Sequence, residues 1–349
     1  MNCTTALVWT VNAAQREAFT NYFKLPLVGY RNATNAAVAA QGTYGYYWST
    51  TPKGTNSTFL YIQPTVLHPR KDDYRSYGLS VRCFKNIQDT SAFLTTWRTT
   101  ASNEQIMIPT FGTGYNFTIE RGDGATGTYA GTAPNPTHTY AVAGDYQVSI
   151  KGDFPRFYMN NNLTHRNKLR SVDQWGAIAW TSMANAFNGC ANVQILATDA
   201  PDLSKVTDMQ AMFRSAINLT GNFNHWDTSN VTNMIGTFGN ATGFNQPLNN
   251  WNTSKVTNMS QMFVQASSFN QPLNNWDTSK VIDMSYMFTD ARVFNQNINN
   301  WNTSKVSSMA GMFGGAIAFN QPLNNWDTSK VTDMSGIFNY AAVFNQSLS

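Results

Sequence analysis

The sequence predicts a mainly β, multidomain protein that ends in a right-handed parallel solenoid. Three observations lead there. Tryptophan recurs every 25 residues at Trp226, Trp251, Trp276, Trp301 and Trp326, with Met, Phe and Val columns in the same register. Residues 106–151 alternate apolar and polar side chains between Gly- and Asp-containing turns, the pattern of half-buried strands. Finally, the 349 residues are 42% apolar and 13% aromatic but only 12% charged. Such a chain can bury several cores and must solvate its surface largely with Asn, Thr and Ser, a composition common on secreted and cell-surface proteins.

Residues 1–90 form the first expected module. Gly29-Tyr30-Arg31, then Tyr47-Trp48-Ser49-Thr50, then Gly78-Leu79-Ser80-Val81-Arg82-Cys83 stand in that order. This succession resembles the C-terminal half of a C-type-lectin-like domain of the Bacteroidetes major paralogous kind. The resemblance implies a partial C-type-lectin-like module whose segment 59–75 displays ligand-binding side chains. Tyr61, Gln63, His68, Arg70 and Tyr74 are the candidates, since Tyr and Arg anchor recognition well; a solvated hairpin is the alternative. Asp72-Asp73, lacking further oxygen ligands, does not make a calcium site.

Residues 91–155 form the second module. Strand-like 117–121 runs into Gly122-Asp123-Gly124, and His138-Thr139-Tyr140 precedes Gly144-Asp145-Tyr146 and a closing apolar run. The arrangement resembles a PKD-type β-sandwich. His138 has no Cys or His near it in sequence, so a structural bond to the GDG turn is favoured over a ligand role. Trp175 and Trp180 read as a junction packed against the first repeat.

Residues 156–349 form the third. A representative unit runs Phe269-Asn270-Gln271-Pro272-Leu273-Asn274-Asn275-Trp276-Asp277-Thr278-Ser279-Lys280-Val281, followed by Met284 and Met287-Phe288. The period falls within the range of leucine-rich repeats. One unit cannot bury its own apolar face, so stacking must bury Met234, Phe238, Met259, Phe263, Met284, Phe288, Met309 and Phe313 in a continuous core. Residues 271–276 are the expected short strand, 277–279 a turn, and 285–288 a helical turn. Asn columns are expected to form buried ladders. The tryptophans Trp251, Trp276 and Trp301 are further candidate ligand contacts. The wording of the units resembles the BspA-like leucine-rich repeat family, which implies a bacterial surface protein of adhesin type. Earlier units decay from the pattern, as an N-terminal cap does.

Several function classes are disfavoured. There is no GxSxG, HExxH, P-loop or Cys–His pair, so no enzyme and no cofactor are expected. The net charge of +4 is scattered, so nucleic acid is not an expected partner. The three cysteines, Cys3, Cys83 and Cys190, show no zinc spacing, and no metal is expected; Cys3 and Cys83 are open to bridging or to remaining free. No apolar run is long enough for a transmembrane helix, and the N-terminus does not read as a signal peptide. Lys255, Lys280, Lys305 and Lys330 near the Asp/Asn column read as a solvated edge. The sequence thus points to a non-catalytic extracellular binding or adhesion protein for protein or glycan ligands. The alternative is a structural fibre or filament subunit, with self-association through an uncapped last repeat.

Overall fold

The computed structural model describes residues 89–347 throughout and, of the residues before them, the backbones of six strands. The chain divides into two compact units, Met1–Gln88 and Asp89–Ser349.

In the first unit, β1 (Trp9–Thr10), β4 (Gly45–Lys53), β5 (Asn56–Ile62) and β6 (Val66–Tyr74) form a four-stranded antiparallel sheet in the order β1-β6-β5-β4. β2 (Tyr30–Arg31) and β3 (Val38–Ala39) pair separately. The β5–β6 pairing slips between Phe59 and Tyr61, where Pro69 and Arg70 of β6 stand against Leu60. Proline has no N–H to give a ladder, and an irregularity there is its usual accommodation.

The second unit begins with a six-stranded sheet in the order β10-β9-β12-β7-β13-β14. Its strands are β7 (Phe93–Thr99), β9 (Tyr115–Glu120), β10 (Thr126–Gly131), β12 (Gly144–Asp153), β13 (Leu169–Gln174) and β14 (Gln194–Ile195). A ribbon of β8 (Glu104–Met107) and β11 (Thr137–Tyr140) completes it. β9 buries Tyr115, Phe117 and Ile119 and exposes the residues between them, the period-two pattern its sequence carries. Where a sandwich closing near residue 155 was expected, the sheet instead runs on through β13 and β14 into the repeats. Phe93, Trp175, Trp180 and Phe187 pack as one aromatic cluster across that junction, with ring centroids 5.0–6.0 Å apart.

The mainly β class stands, but the right-handed leucine-rich-repeat solenoid with one strand per unit does not. Among the described residues of the repeats there is no helix, and beyond β14 no strand; adjacent units share only single-residue parallel bridges, Asp208 to Asn233 to Asn258 to Asp283 to Ser308 to Asp333. Each unit is a chain of tight turns. The amide of Trp276 donates to Leu273, Val281 to Thr278, Met287 to Met284, Ala291 to Phe288 and Phe294 to Ala291. A turn of this kind brings residues three apart to the same side. Leu273 and Trp276 are both buried as a result, which an extended strand at 271–276 cannot achieve.

The expected helical turn at 285–288 fails for a related reason. In every unit two positions adopt positive φ: Tyr286 at 57° and Asp290 at 54°, Gln261 and Gln265 at 57° each, Gly311 at 59° and Gly315 at 67°. A right-handed helix requires negative φ throughout. The alternation sends every second amide toward the next unit, so that Met259, Gln261, Phe263 and Gln265 donate to the carbonyls of Asp283, Ser285, Met287 and Thr289.

Side chains stitch the other faces. Thr253, Thr278 and Thr303 each donate a hydroxyl to a carbonyl of the next unit at 2.9–3.0 Å. The Asn ladders exist, but at the surface: Asn245, Asn270 and Asn295 accept from the amides of Asn270, Asn295 and Asn320 at 2.9–3.0 Å. Inside, Phe238, Phe263, Phe288 and Phe313 stack nearly parallel at 5.6–5.8 Å, with Met234, Met259, Met284 and Met309 buried beside them.

Candidate functional site

The sequence-derived candidates do not assemble into one site. In the first unit Tyr61 of β5 stands opposite His68 of β6, Arg70 falls at the irregularity, and Tyr74 pairs with Asn56. His68 and Tyr74 are six residues apart along one strand, roughly 20 Å at the usual rise. Gln63, Cys3 and Cys83 lie outside the described residues.

Trp251, Trp276 and Trp301 are 2–3% exposed, so they are not contacts for a ligand. Their indole N–H groups donate inward to the carbonyls of Phe223, Leu248 and Leu273 at 2.9–3.1 Å. A tryptophan repeated at fixed spacing here is a bolt between units, since a buried indole needs a partner for its donor. His138 is likewise structural: its Nε2 lies 2.6 Å from Asp123 Oδ2 and ties β11 to the GDG turn. Asp123 sits below the ordinary carboxyl range; partial burial opposes this, but hydrogen bonds from His138 and the Ala125 amide outweigh it. Asp227, Asp277 and Asp327 accept from the amides of Ser229, Ser279 and Ser329 at 2.9–3.0 Å, closing the turn at each unit's corner. Lys255 donates to Asn230 Oδ1 rather than to an aspartate. Cys190 is a buried free thiol, its ionisation pushed up by burial. Among the described residues no group of three or more His, Cys, Asp or Glu is placed to hold a metal ion, and no helix is long and apolar enough to cross a membrane.

The structure points elsewhere, to the two positive-φ columns. Counted from each column methionine they are the third and seventh residues: Asn185 and Gly189, Ala211 and Ser215, Gly236 and Asn240, Gln261 and Gln265, Tyr286 and Asp290, Gly311 and Gly315, Gly336 and Tyr340. Met, Phe and Ala recur around these positions, while the positions themselves change from unit to unit. Glycine suits such a conformation without strain, whereas an ordinary side chain costs roughly 1–3 kcal/mol there. Tyr, Gln and Asp nonetheless occupy it, and Tyr286 and Tyr340 are 46% and 81% exposed. Gln261 accepts a hydrogen bond from Arg214; the core does not ask for the tyrosines.

Where the columns alternate between large residues and glycine, a groove opens. Its volume is about 600 Å³, within the range of small-molecule sites. Gly311, Gly314, Gly315 and Gly336 form the floor, with Tyr286, Asp290, Arg292, Asn339 and Tyr340 around it. Two of these glycines are required: a Cβ on Gly311 would meet the Tyr286 ring at 2.5 Å, and one on Gly315 would collide with the Asp290 carboxylate. Most of the floor's polar groups are already used. Gly311 and Gly315 amides donate to Ser335 and Asn339 carbonyls, Gly314 accepts from the Asp290 amide, and Gly311 accepts from the Thr289 hydroxyl at 2.6 Å. Contact with a ligand therefore falls mainly to side chains. Reasoning from the sequence passed over this site because the columns have no repeating residue; their variation inside an otherwise regular unit was the available signal.

Comparison with known families adds a boundary but no chemistry. Residues 181–293 and 272–349 are similar to a family described as "Mycoplasma protein of unknown function, DUF285". Residues 9–84 are similar to a "Domain of unknown function (DUF8237)". No curated protein and no solved structure matches the chain.

Proposed function

We propose that this chain is a non-catalytic binding protein of the extracellular surface, which presents the variable positive-φ columns of its repeats to a protein or glycan ligand. The observation that carries the reading is the retention of Tyr286, Gln261, Gln265, Asp290 and Tyr340 where glycine would relieve strain. Strain kept without benefit to the core is a mark of function. The surface chemistry fits: few charges, many amides and hydroxyls, and two exposed tyrosines of the kind that anchor interfaces.

The test replaces Gln261, Gln265, Tyr286 and Tyr340 together by glycine in the full chain and screens both proteins against immobilised matrix proteins and a glycan array. The variant should melt no lower than the parent and lose its partners. Unchanged binding would remove the columns from the function, and turnover of a peptide, ester or glycoside by the parent would overturn the non-catalytic reading.

A further inference from the structure

We infer that the groove between Tyr286 and Tyr340 is a sugar site that takes a neutral, pyranose-containing oligosaccharide. This rests on the reading of the columns as a binding surface and names the ligand class for one part of it.

The floor comes first. Gly311, Gly314, Gly315 and Gly336 form it; the Tyr286 ring lies over Gly311, the Gly311 and Gly315 amides are satisfied internally, and the Gly336 amide has no acceptor among the described residues. A peptide that binds by adding a strand needs an edge of both N–H and C=O groups, whereas among the described residues Met334, Gly336, Phe338 and Tyr340 offer free N–H groups alone, the carbonyls beside them being taken. The ligand is then held mainly by ring faces and side-chain polar groups.

The walls come next. Tyr286 and Tyr340 both line the groove, exposed and belonging to different units, with the Tyr286 ring over Gly311. A pyranose presents one face of axial C–H groups, which lies against an aromatic ring, and a rim of hydroxyls, each both donor and acceptor. Asp290 supplies a pure acceptor, Arg292 a pure donor, and Asn339 both, so the rim can be matched whichever way each hydroxyl points. One carboxylate and one guanidinium leave the lining without net charge, which favours a neutral sugar over a sialylated or sulfated one. A small-molecule site commonly combines such an apolar contact surface with a few convergent polar groups.

The geometry also explains the glycines. Any Cβ on Gly311 or Gly315 would displace the Tyr286 ring or the Asp290 carboxylate. The groove is made where the third-residue column runs Tyr286, Gly311, Gly336 beside a seventh-residue column of Asp290, Gly315, Tyr340.

The experiment uses the full chain on an array of neutral, sialylated and sulfated oligosaccharides alongside a peptide library, with hits titrated by calorimetry. Neutral sugars should bind, and Tyr286→Gly and Tyr340→Ala should each weaken them tenfold or more. Tyr286→Gly relieves a strained φ, so its melting should fall no lower than the parent's, which separates loss of binding from loss of fold. Gly336→Asn is the second variant: its Cβ would meet nothing closer than 3.7 Å and asparagine tolerates the conformation, so it should fold while its amide blocks the groove. Tyr286→Phe should bind within threefold of the parent. Neutral sugars bound equally by all variants would overturn the groove assignment. Acidic glycans alone, or peptides alone, lost on Tyr286→Gly would overturn the neutral-sugar assignment and leave the binding surface standing. No ligand in any class would overturn both.

Discussion

The sheet at residues 93–174 and the repeats at 181–347 satisfy their backbones in different ways, and the difference decides where each can carry function. In β9 the chain is extended, inward residues alternate by two, and both edges pair along nearly the whole strand. Every exposed position there still sits on a strand that must keep its pairing. In the repeats, inward residues come every third position at the ends of tight turns, and the corners project outward. Corner side chains can then change from unit to unit while the ring stacks and the inter-unit bonds stay as they are. The sheet is the rigid start of the stack; the stack is the variable surface.

The largest test of that contrast is in the cores. Phe288 stacks between Phe263 and Phe313, and its removal as Phe288→Ala should cost about 3–5 kcal/mol. Because each unit packs mainly on its neighbours, amide exchange should quicken around residues 259–319 and leave β7–β13 protected. Phe117→Ala in β9 should cost a similar amount and loosen the whole sheet. If the Phe288 variant instead opens the sheet and the stack together, the repeats are not a near-neighbour system and the contrast fails.

A smaller test has the opposite sign. Gln265 is exposed at φ 57°, so Gln265→Gly should raise stability by about 1 kcal/mol in a thermal melt. The same change at an exposed strand position, Thr118→Gly in β9, should lower it, since glycine weakens a strand interior. A loss at Gln265 would mean that the column side chains support the fold, and the argument for their function would weaken.

The smallest effect belongs to pH and to the sheet alone. Hydrogen bonds from Lys168 and from the Thr100 amide hold Glu104 at about 2, below its ordinary 4.5. A carboxyl depressed on folding stabilises the native state above its unfolded pKa, and the contribution is lost as pH falls from about 4.5 toward 2. Glu104→Gln should remove that part of the acid-side slope in denaturant melts taken between those values. An unchanged slope would show that the bridge from β8 to Lys168 does not hold the ribbon to the sheet. His165, also beside Lys168, has its pKa lowered by burial, so its protonation adds to acid unfolding as pH falls below its ordinary 6.5.

The sequence by itself determined which residues are inside. The columns of Met, Phe and Val are buried because 25-residue identity leaves stacking as the one way to cover them, and alternation marked β9 just as plainly. Even the three-residue gap from Leu273 to Trp276 held the clue that the unit turns rather than extends. What only the tertiary structure decided was backbone direction. Whether residues 271–276 form a strand or a turn, and whether 285–290 coil as a helix or flip at Tyr286 and Asp290, depends on where each amide finds an acceptor. Those acceptors sit on the next unit, 24 residues further along the chain. The candidate groove follows from the same cause: Tyr286 lies over Gly311 because the units stack, and no local pattern in either segment records the meeting.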